Sequence, residues 1–390
     1  MTPLRRLHAM SEHVTTGFGC ADYFFERRFS RARRPLPSAS LETMPPPPPT
    51  MDPHAPNVPS GTYYHAKAVN TEDIPVIDIG GLVAGQPGAL DAVAAQVMEA
   101  AQRIGFFYIS GHGIPVEVTT RATAAMRDYF ALPPAVKSKH PVNTSQRGWM
   151  ATGVARLEGS KTHDLKEIFF WGPEQWADRL AARKRADSLI ADNVWPDEDF
   201  PRLRQDLIPY YLATQQVGHA LLSAIAKGLG QDPAFFSHRY TSPMARGQLV
   251  YYPPSTPADE REERFGSAPH TDFGVLTLLL QDANGGLQVR NRHGEWIAAQ
   301  PITGTLVCNI GDLLHRWSNA TLRSNLHRVI NRSGNARHSL VVFFDPDPDA
   351  VIDPSDLGFP AGRETYPPVT TSDYIHGKNR KNFTQYGAVK

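Results

Sequence analysis

Residues 268–282 read APHTDFGVLTLLLQD. The second half, VLTLLL, has the aliphatic character of a buried strand. Yet a histidine, His270, and a carboxylate, Asp272, stand directly before it. Both groups are costly to bury without a partner. In an extended chain, side chains at i and i+2 share a face, so His270 and Asp272 can point together into an interior. One imidazole and one carboxylate make half of a metal site, and a bound cation offsets their desolvation.

A second histidine has to come from another strand. His293, His315, His327 and His338 follow in the chain. His293 sits in the polar turn NRHGEW and reads as a solvated turn residue. His315 follows GDLL and reads as a packed histidine. His327, in SNLHRVIN, opens an apolar strand much as His270 does, and is the best third ligand. His270, Asp272 and His327 then form a facial triad of two histidines and one carboxylate. Such a triad holds Fe(II) by one face and leaves positions open. Oxygen chemistry needs that room, for O2 and for an electron-supplying co-substrate. A zinc enzyme with the same three ligands plus water is the rival reading.

Arg337 follows His327 by ten residues, and Ser339 follows two later. On a strand the two share a face, presenting a bidentate fork and a hydroxyl suited to the tail of a dicarboxylate. Zinc chemistry has no use for this pair. In GQLVYYPP, Gln248, Val250 and Tyr252 alternate onto one face, and Tyr252 can add a third contact before Pro253 and Pro254 end the strand.

The chain has 390 residues, 41% of them hydrophobic, enough for one large core or two domains. Its 40 basic and 39 acidic residues leave a net charge of +1, which gives no electrostatic grip on nucleic acid or membrane. Two cysteines, Cys20 and Cys308, make no disulfide framework, so a reducing cytoplasm is expected. Residues 1–70 are rich in proline and serine, with five prolines at 45–49, and read as a disordered or extended segment. Helical periodicity marks 90–104, 117–130 and about 203–228, the last with Pro209 near its start. From 246 onward a train of short strands punctuated by Gly, Asn, Asp and Pro favours an antiparallel sandwich or barrel. The expected architecture is mainly β with supporting helices: a helical first half carrying a β core in the second, together one catalytic unit, 71–390.

In order and spacing, DIPVIDI, GFFYISGHGIP, YYPP, HTDFGVLTLLLQD, GGLQV, NIGDLLHRWSN, SNLHRV and RHS resemble the iron(II)- and 2-oxoglutarate-dependent dioxygenases of the isopenicillin N synthase-like superfamily, over roughly residues 73–365. The resemblance implies a double-stranded β-helix, or jelly roll, at about 245–348. It implies Fe(II) on His270, Asp272 and His327, with 2-oxoglutarate on Arg337, Ser339 and Tyr252, O2 as oxidant and ascorbate as a supporting reductant. It departs at Val250, where many relatives carry asparagine. The implied reaction couples decarboxylation of 2-oxoglutarate to succinate and CO2 with hydroxylation, desaturation or cyclisation at a C–H bond of a small metabolite, in the style of secondary metabolism. Ethylene formation, an iron oxidase that does without 2-oxoglutarate, and a non-catalytic metal-binding β-sandwich are the alternatives. Arg246, Gln248, Phe273 and Phe344 are candidate substrate contacts, with Leu287, Val289 and Phe343 as further wall residues and Trp317 below the site. The mixed stretch 143–172 resembles the family's variable substrate loop, and its Lys166–Glu167 and Phe170 a KE-x-F-like segment. A small-molecule substrate is the only partner expected. The enzyme is expected to be a monomer, with a weak homodimer as the alternative.

Overall fold

The segment FFYIS, β2 (Phe106–Ser110), is buried along almost its whole length, and its alternate residues go to different places. Phe107 and Ile109 enter one apolar cluster, Phe106 and Tyr108 another. A strand buried on both faces belongs to a middle layer. This holds in the computed structural model, which describes residues 74–157, 160–174, 189–358 and 366–382. These fall in one compact unit, Asp52–Lys390. The segment 1–70 and Cys20 lie outside the described residues.

The middle layer is an eight-stranded sheet. From one edge its order is β1 (Val76–Asp78), β2, β10 (Leu306–Ile310), β7 (Leu276–Gln281), β12 (Arg337–Phe344), β5 (Arg246–Tyr252), β4 (Glu167–Trp171) and β3 (Gly148–Met150). Only β1 and β2 pair in parallel; the other ladders are antiparallel. A second, four-stranded antiparallel sheet runs β6 (Ser267–His270), β11 (His327–Val329), β8 (Leu287–Arg290) and β9 (Trp296–Ala298). A short pair, β13 (Val351–Ile352) with β14 (Val369–Thr370), stands apart. No ladder closes the two large sheets into a barrel among the described residues.

The helices Ala89–Arg103, Val116–Ala131 and Arg202–Gly228 cover the outer face of the large sheet. Each matches the expected periodicity to within a residue or two. The long helix runs through Pro209. An interior proline costs about 3 kcal/mol, and the buried stripe of Leu207, Tyr210, Val217 and Leu221 offsets it at roughly 2 kcal/mol per side chain. The inner face of the large sheet packs on the small sheet. Strand alternation sorts β12 between the two sides: Leu340, Val342 and Phe344 join the helix-side cluster, while Arg337, Ser339, Val341 and Phe343 face the gap between the sheets.

Two expectations change. The first half is not only helical support: PVIDI and GFFYIS, strand-like in their own sequence, form β1 and β2, β3 and β4 join them in the large sheet, and the fold is mixed β/α. Nor is 268–282 one strand. β6 ends at His270 in the small sheet and β7 begins at Leu276 in the large one. The chain crosses between sheets at Asp272–Val275, where the Val275 N–H donates to Asp345 Oδ1 (3.0 Å). A Cβ on Gly274 would overlap that carboxylate, so only glycine fits the crossing.

Candidate metal centre and its cavity

β6 and β11 are antiparallel neighbours with His270 opposite His327. The ladder delivers two imidazoles side by side, ring centroids 4.2 Å apart. Asp272 arrives from the crossing turn. Its Oδ1 lies 3.6 Å from His327 Nε2 and 3.8 Å from His270 Nε2. The three donor atoms are all within 4.8 Å of one another.

The outward atoms of all three residues are engaged by the protein. His270 Nδ1 is 2.7 Å from the Ala268 carbonyl, and His327 Nδ1 is 3.2 Å from the Asn325 carbonyl. A carbonyl only accepts, so each Nδ1 carries the proton and each Nε2 presents a lone pair inward. Asp272 Oδ2 accepts from Thr277 Oγ1 (2.6 Å) and Asn309 Nδ2 (2.8 Å), which leaves Oδ1 facing the imidazoles. Burial, then His327, pull His270 down to about 3, so its ring is neutral. Burial raises Asp272, but the two imidazoles and the Thr277 and Asn309 hydrogen bonds outweigh it, and the carboxyl is held below its ordinary range. Two donors on one first-row ion, each at about 2.1 Å, stand roughly 3 to 3.8 Å apart. The residues present therefore fit a single ion with one carboxylate and two neutral imidazoles on one side.

The other side opens on a cavity between the sheets. Arg337 lines it and is 1% exposed. Its Nε donates to the Gly285 carbonyl (2.6 Å), its guanidinium lies 4.8 Å from the Tyr252 ring centre, and its terminal nitrogens reach only Ser339 Oγ (3.4 Å) and Gln281 Oε1 (3.5 Å). The Gly285–Gly286 turn that offers this carbonyl has positive φ at both residues, and a Cβ on Gly286 would press on the Ile330 carbonyl.

Comparison with known proteins places this geometry. A family described as the 2OG-Fe(II) oxygenase superfamily matches residues 245–346, and one described as the N-terminal part of non-haem dioxygenases in morphine synthesis matches 74–198. The 2-oxoglutarate-Fe(II) type oxidoreductase hxnY of Emericella nidulans is 34% identical over 324 residues, 81% of this chain and 92% of that one. The chain belongs to the 2OG-Fe(II) oxygenase superfamily. Validamycin A dioxygenase of Streptomyces hygroscopicus is 33% identical, over 80% of this chain and 88% of its own. The crystal structure of a full-length Neurospora crassa protein in complex with alpha-KG and thymine has a TM-score of 0.70 at 25% identity, covering 80% of this chain and 98% of that one. The fold is thus a mixed β/α relative of the jelly-roll oxygenase fold. The protein is an oxygenase that uses Fe(II), 2-oxoglutarate and O2 to hydroxylate a small metabolite while 2-oxoglutarate is oxidatively decarboxylated.

The oxygenase brings Gln248, Tyr252, Leu287, Ser339 and Phe343 to the same cavity. Other expected contacts lie elsewhere. Arg246 does not line it; its guanidinium is held by Gln146 Oε1 (2.9 Å) and the buried Asp345 carboxylate (3.0 Å). Phe344 is on the opposite face of β12, stacked on Tyr240. Phe273 leaves the cavity on the crossing turn, with Lys378 Nζ 5.5 Å from its ring centre. Val289 is core between the sheets, and Trp317 packs on Phe236. As expected, His293 is exposed in its turn, while His315 is held by the Leu322 carbonyl and Tyr366.

Thr277 and Asn309 are the additions. Thr277 and Asn309 are buried polar residues in LTLLLQ and LVCNI, strands that are otherwise mostly apolar. A polar group in such a strand needs a partner, and that was the available signal. Lys166 directly precedes β4, and the stretch 143–172 contributes β3 and β4 to the large sheet with loop between them. Lys166 faces the cavity, and Glu167 turns the other way to Lys137 (2.6 Å) and Trp149 (3.0 Å).

Proposed function

We propose that His270, Asp272 and His327 are the iron ligands, that Arg337, Ser339 and Tyr252 hold the distal carboxylate of 2-oxoglutarate, and that a small polar metabolite is oxidised at the end of the cavity beside Phe343. One observation carries the reading. Arg337 is a buried cation that forms no ion pair with any carboxylate among the described residues, and its terminal nitrogens make only long contacts. A buried unpaired charge is costly, and a bound dicarboxylate removes that cost.

Bound at this centre, iron and 2-oxoglutarate supply the oxidising power for C–H hydroxylation. The chain's own work is orientation and exclusion of water. Along β12, Arg337 and Ser339 stand at one end, while Phe343 lies opposite Thr277, the residue that bonds Asp272. Arg337 and Ser339 would hold the distal carboxylate of a keto acid, with the metal ligands toward the other end of the strand. The wall between them is apolar, with Leu279, Leu287, Val329 and Val341, and Gln248 is the polar exception in the register of Val341. Relatives named for validamycin A and crystallised with thymine support a small polar substrate.

In this reading residues 71–390 form one catalytic domain with a jelly-roll core at about 245–348. The support is that β5 to β12 pass between the large and small sheets in the order large, small, large, small, small, large, small, large. A cytoplasmic monomer in secondary metabolism completes the reading, supported by the buried free thiol of Cys308. The test is incubation of purified protein with Fe(II), ascorbate, 2-oxoglutarate and a metabolite library. Substrate-stimulated succinate together with a product one oxygen heavier is the expected result. Full turnover in both His270→Ala and Asp272→Ala overturns the ligand assignment.

A further inference from the structure

Strand register places three cavity-facing residues in one row across neighbouring strands. Arg337 on β12 is opposite Tyr252 on β5. On the other side of β5, Glu167 is opposite Tyr251 and Ile168 opposite Val250, so Lys166 falls beside Tyr252. All three line the cavity. The row reads guanidinium, phenol, ammonium.

Lys166 is 8% exposed. Its Nζ is 2.9 Å from Asp164 Oδ2 and donates to Ser267 Oγ (3.0 Å), another cavity residue. Asp164 stands behind the wall, its Oδ1 accepting from the Ala268 N–H (3.0 Å) on the strand that carries His270. Burial disfavours both charges. For Lys166 the attraction of Asp164, with help from Tyr252, outweighs burial and holds the ammonium above the ordinary lysine range. For Asp164 burial outweighs Lys166, and the carboxyl is raised. With the Asp164 carboxylate 2.9 Å from its Nζ, Lys166 is held as an ammonium. Among the described residues that line the cavity the one acid is Asp272, which belongs to the metal centre.

We infer that Lys166 is a second cationic determinant of 2-oxoglutarate binding, acting on the distal carboxylate from the far side of Tyr252. Arg337 grips that carboxylate from one end of the row. Lys166 closes the other end and draws the Tyr252 hydroxyl into a donating orientation. Lys166 is a positioning residue for the co-substrate and not part of the oxidation. The inference rests on the assignment of Arg337 above.

The experiment measures equilibrium binding by calorimetry on Mn(II)-loaded protein, with 2-oxoglutarate and with 2-oxobutyrate, which lacks the distal carboxylate. The proteins are wild type, Arg337→Met, Lys166→Met, Lys166→Gln and Lys166→Arg. Lys166→Gln keeps a hydrogen-bonding group for Ser267 should the methionine variant not fold. Loss of one charge-assisted contact is expected to weaken 2-oxoglutarate about tenfold in Lys166→Met or Lys166→Gln and to leave 2-oxobutyrate within about twofold. Lys166→Arg should recover most of the difference. A strut that only supports the His270 strand would weaken both ligands together, or the metal itself, and leave their ratio unchanged; that result overturns the inference. If Arg337→Met also leaves the ratio unchanged, the carboxylate assignment itself fails. If Arg337→Met collapses the ratio and the Lys166 variants do not, only the role of Lys166 fails.

Discussion

His270 and His327 are cross-strand partners in the small sheet, so the spacing of the two imidazoles is set by the ladder itself. Neighbouring strands sit about 4.8 Å apart, and the ring centroids at 4.2 Å follow that spacing. Only Asp272 depends on a turn. The metal centre therefore joins a rigid pair to one adjustable ligand.

The two histidines should not be equivalent when lost. His270 is half-buried, whereas His327 is buried with Phe106 at 5.2 Å. His270→Ala is expected to abolish tight Mn(II) or Fe(II) binding while leaving the metal-free melting temperature nearly unchanged. His327→Ala should lose the metal and also about 1–3 kcal/mol of stability. Metal titration beside thermal melts checks both, and equal destabilisation by the two would contradict the burial difference.

Thr277 supplies a second test, since its hydroxyl fixes which oxygen of Asp272 faces inward. Removing a hydrogen bond to a ligand commonly costs about 10- to 100-fold in metal affinity. Thr277→Val preserves shape and should fall in that range with the fold intact. Unaltered affinity would mean that Asn309 Nδ2, at 2.8 Å, holds the carboxylate alone.

Much of this was legible in residue spacing, for reasons that can be named. The period of two put Arg337 and Ser339 on one face of β12, and the structure has them lining the cavity together. The same rule puts Phe343 and Phe344 on opposite faces, but composition does not say which is inner. That depends on which face of β12 meets the helices. The ion pair that holds Arg246 is not legible in sequence, because its partner, Asp345, is 99 residues away, and pairing at that distance leaves no local trace. By spacing alone 268–282 is one extended run; the change of sheets that follows His270 rests on the close approach of Gly274 to Asp345, which is a tertiary fact.

Acid should loosen the Arg337 end of the cavity through Asp282. That carboxylate accepts from the His338 N–H (2.7 Å), the Asn284 N–H (2.9 Å) and Asn284 Nδ2 (2.9 Å), bracing the loop whose Gly285 carbonyl holds Arg337. Burial opposes ionisation, but these bonds and His338 prevail, and Asp282 is held at about 2 against an ordinary 3.8. Between those values the unfolded chain binds the proton and the folded chain does not. The contribution of Asp282 is thus complete above 3.8 and lost as pH falls through about 2. Urea melts of wild type and Asp282→Asn from about pH 5 to about pH 2 should converge at the acid end. A constant gap across that range would remove Asp282 from the acid response.

Gly274→Ala tests the turn that delivers Asp272. The added methyl would overlap the Asp345 carboxylate, which is fully buried and bonded to both the Val275 N–H and Arg246. Something must give: either the turn moves, carrying Asp272 off the histidines, or Asp345 moves and leaves Arg246 unpaired. Breaking a buried charge pair costs about 3–5 kcal/mol, and overpacking about 1–3 kcal/mol. Gly274→Ala should therefore lower both stability and metal affinity. Adding Asp345→Ala makes room for the methyl while leaving the Arg246 charge buried without its partner. Metal affinity should then recover toward wild type while stability falls further. If the double variant binds metal no better than Gly274→Ala alone, the turn is not what sets the position of Asp272.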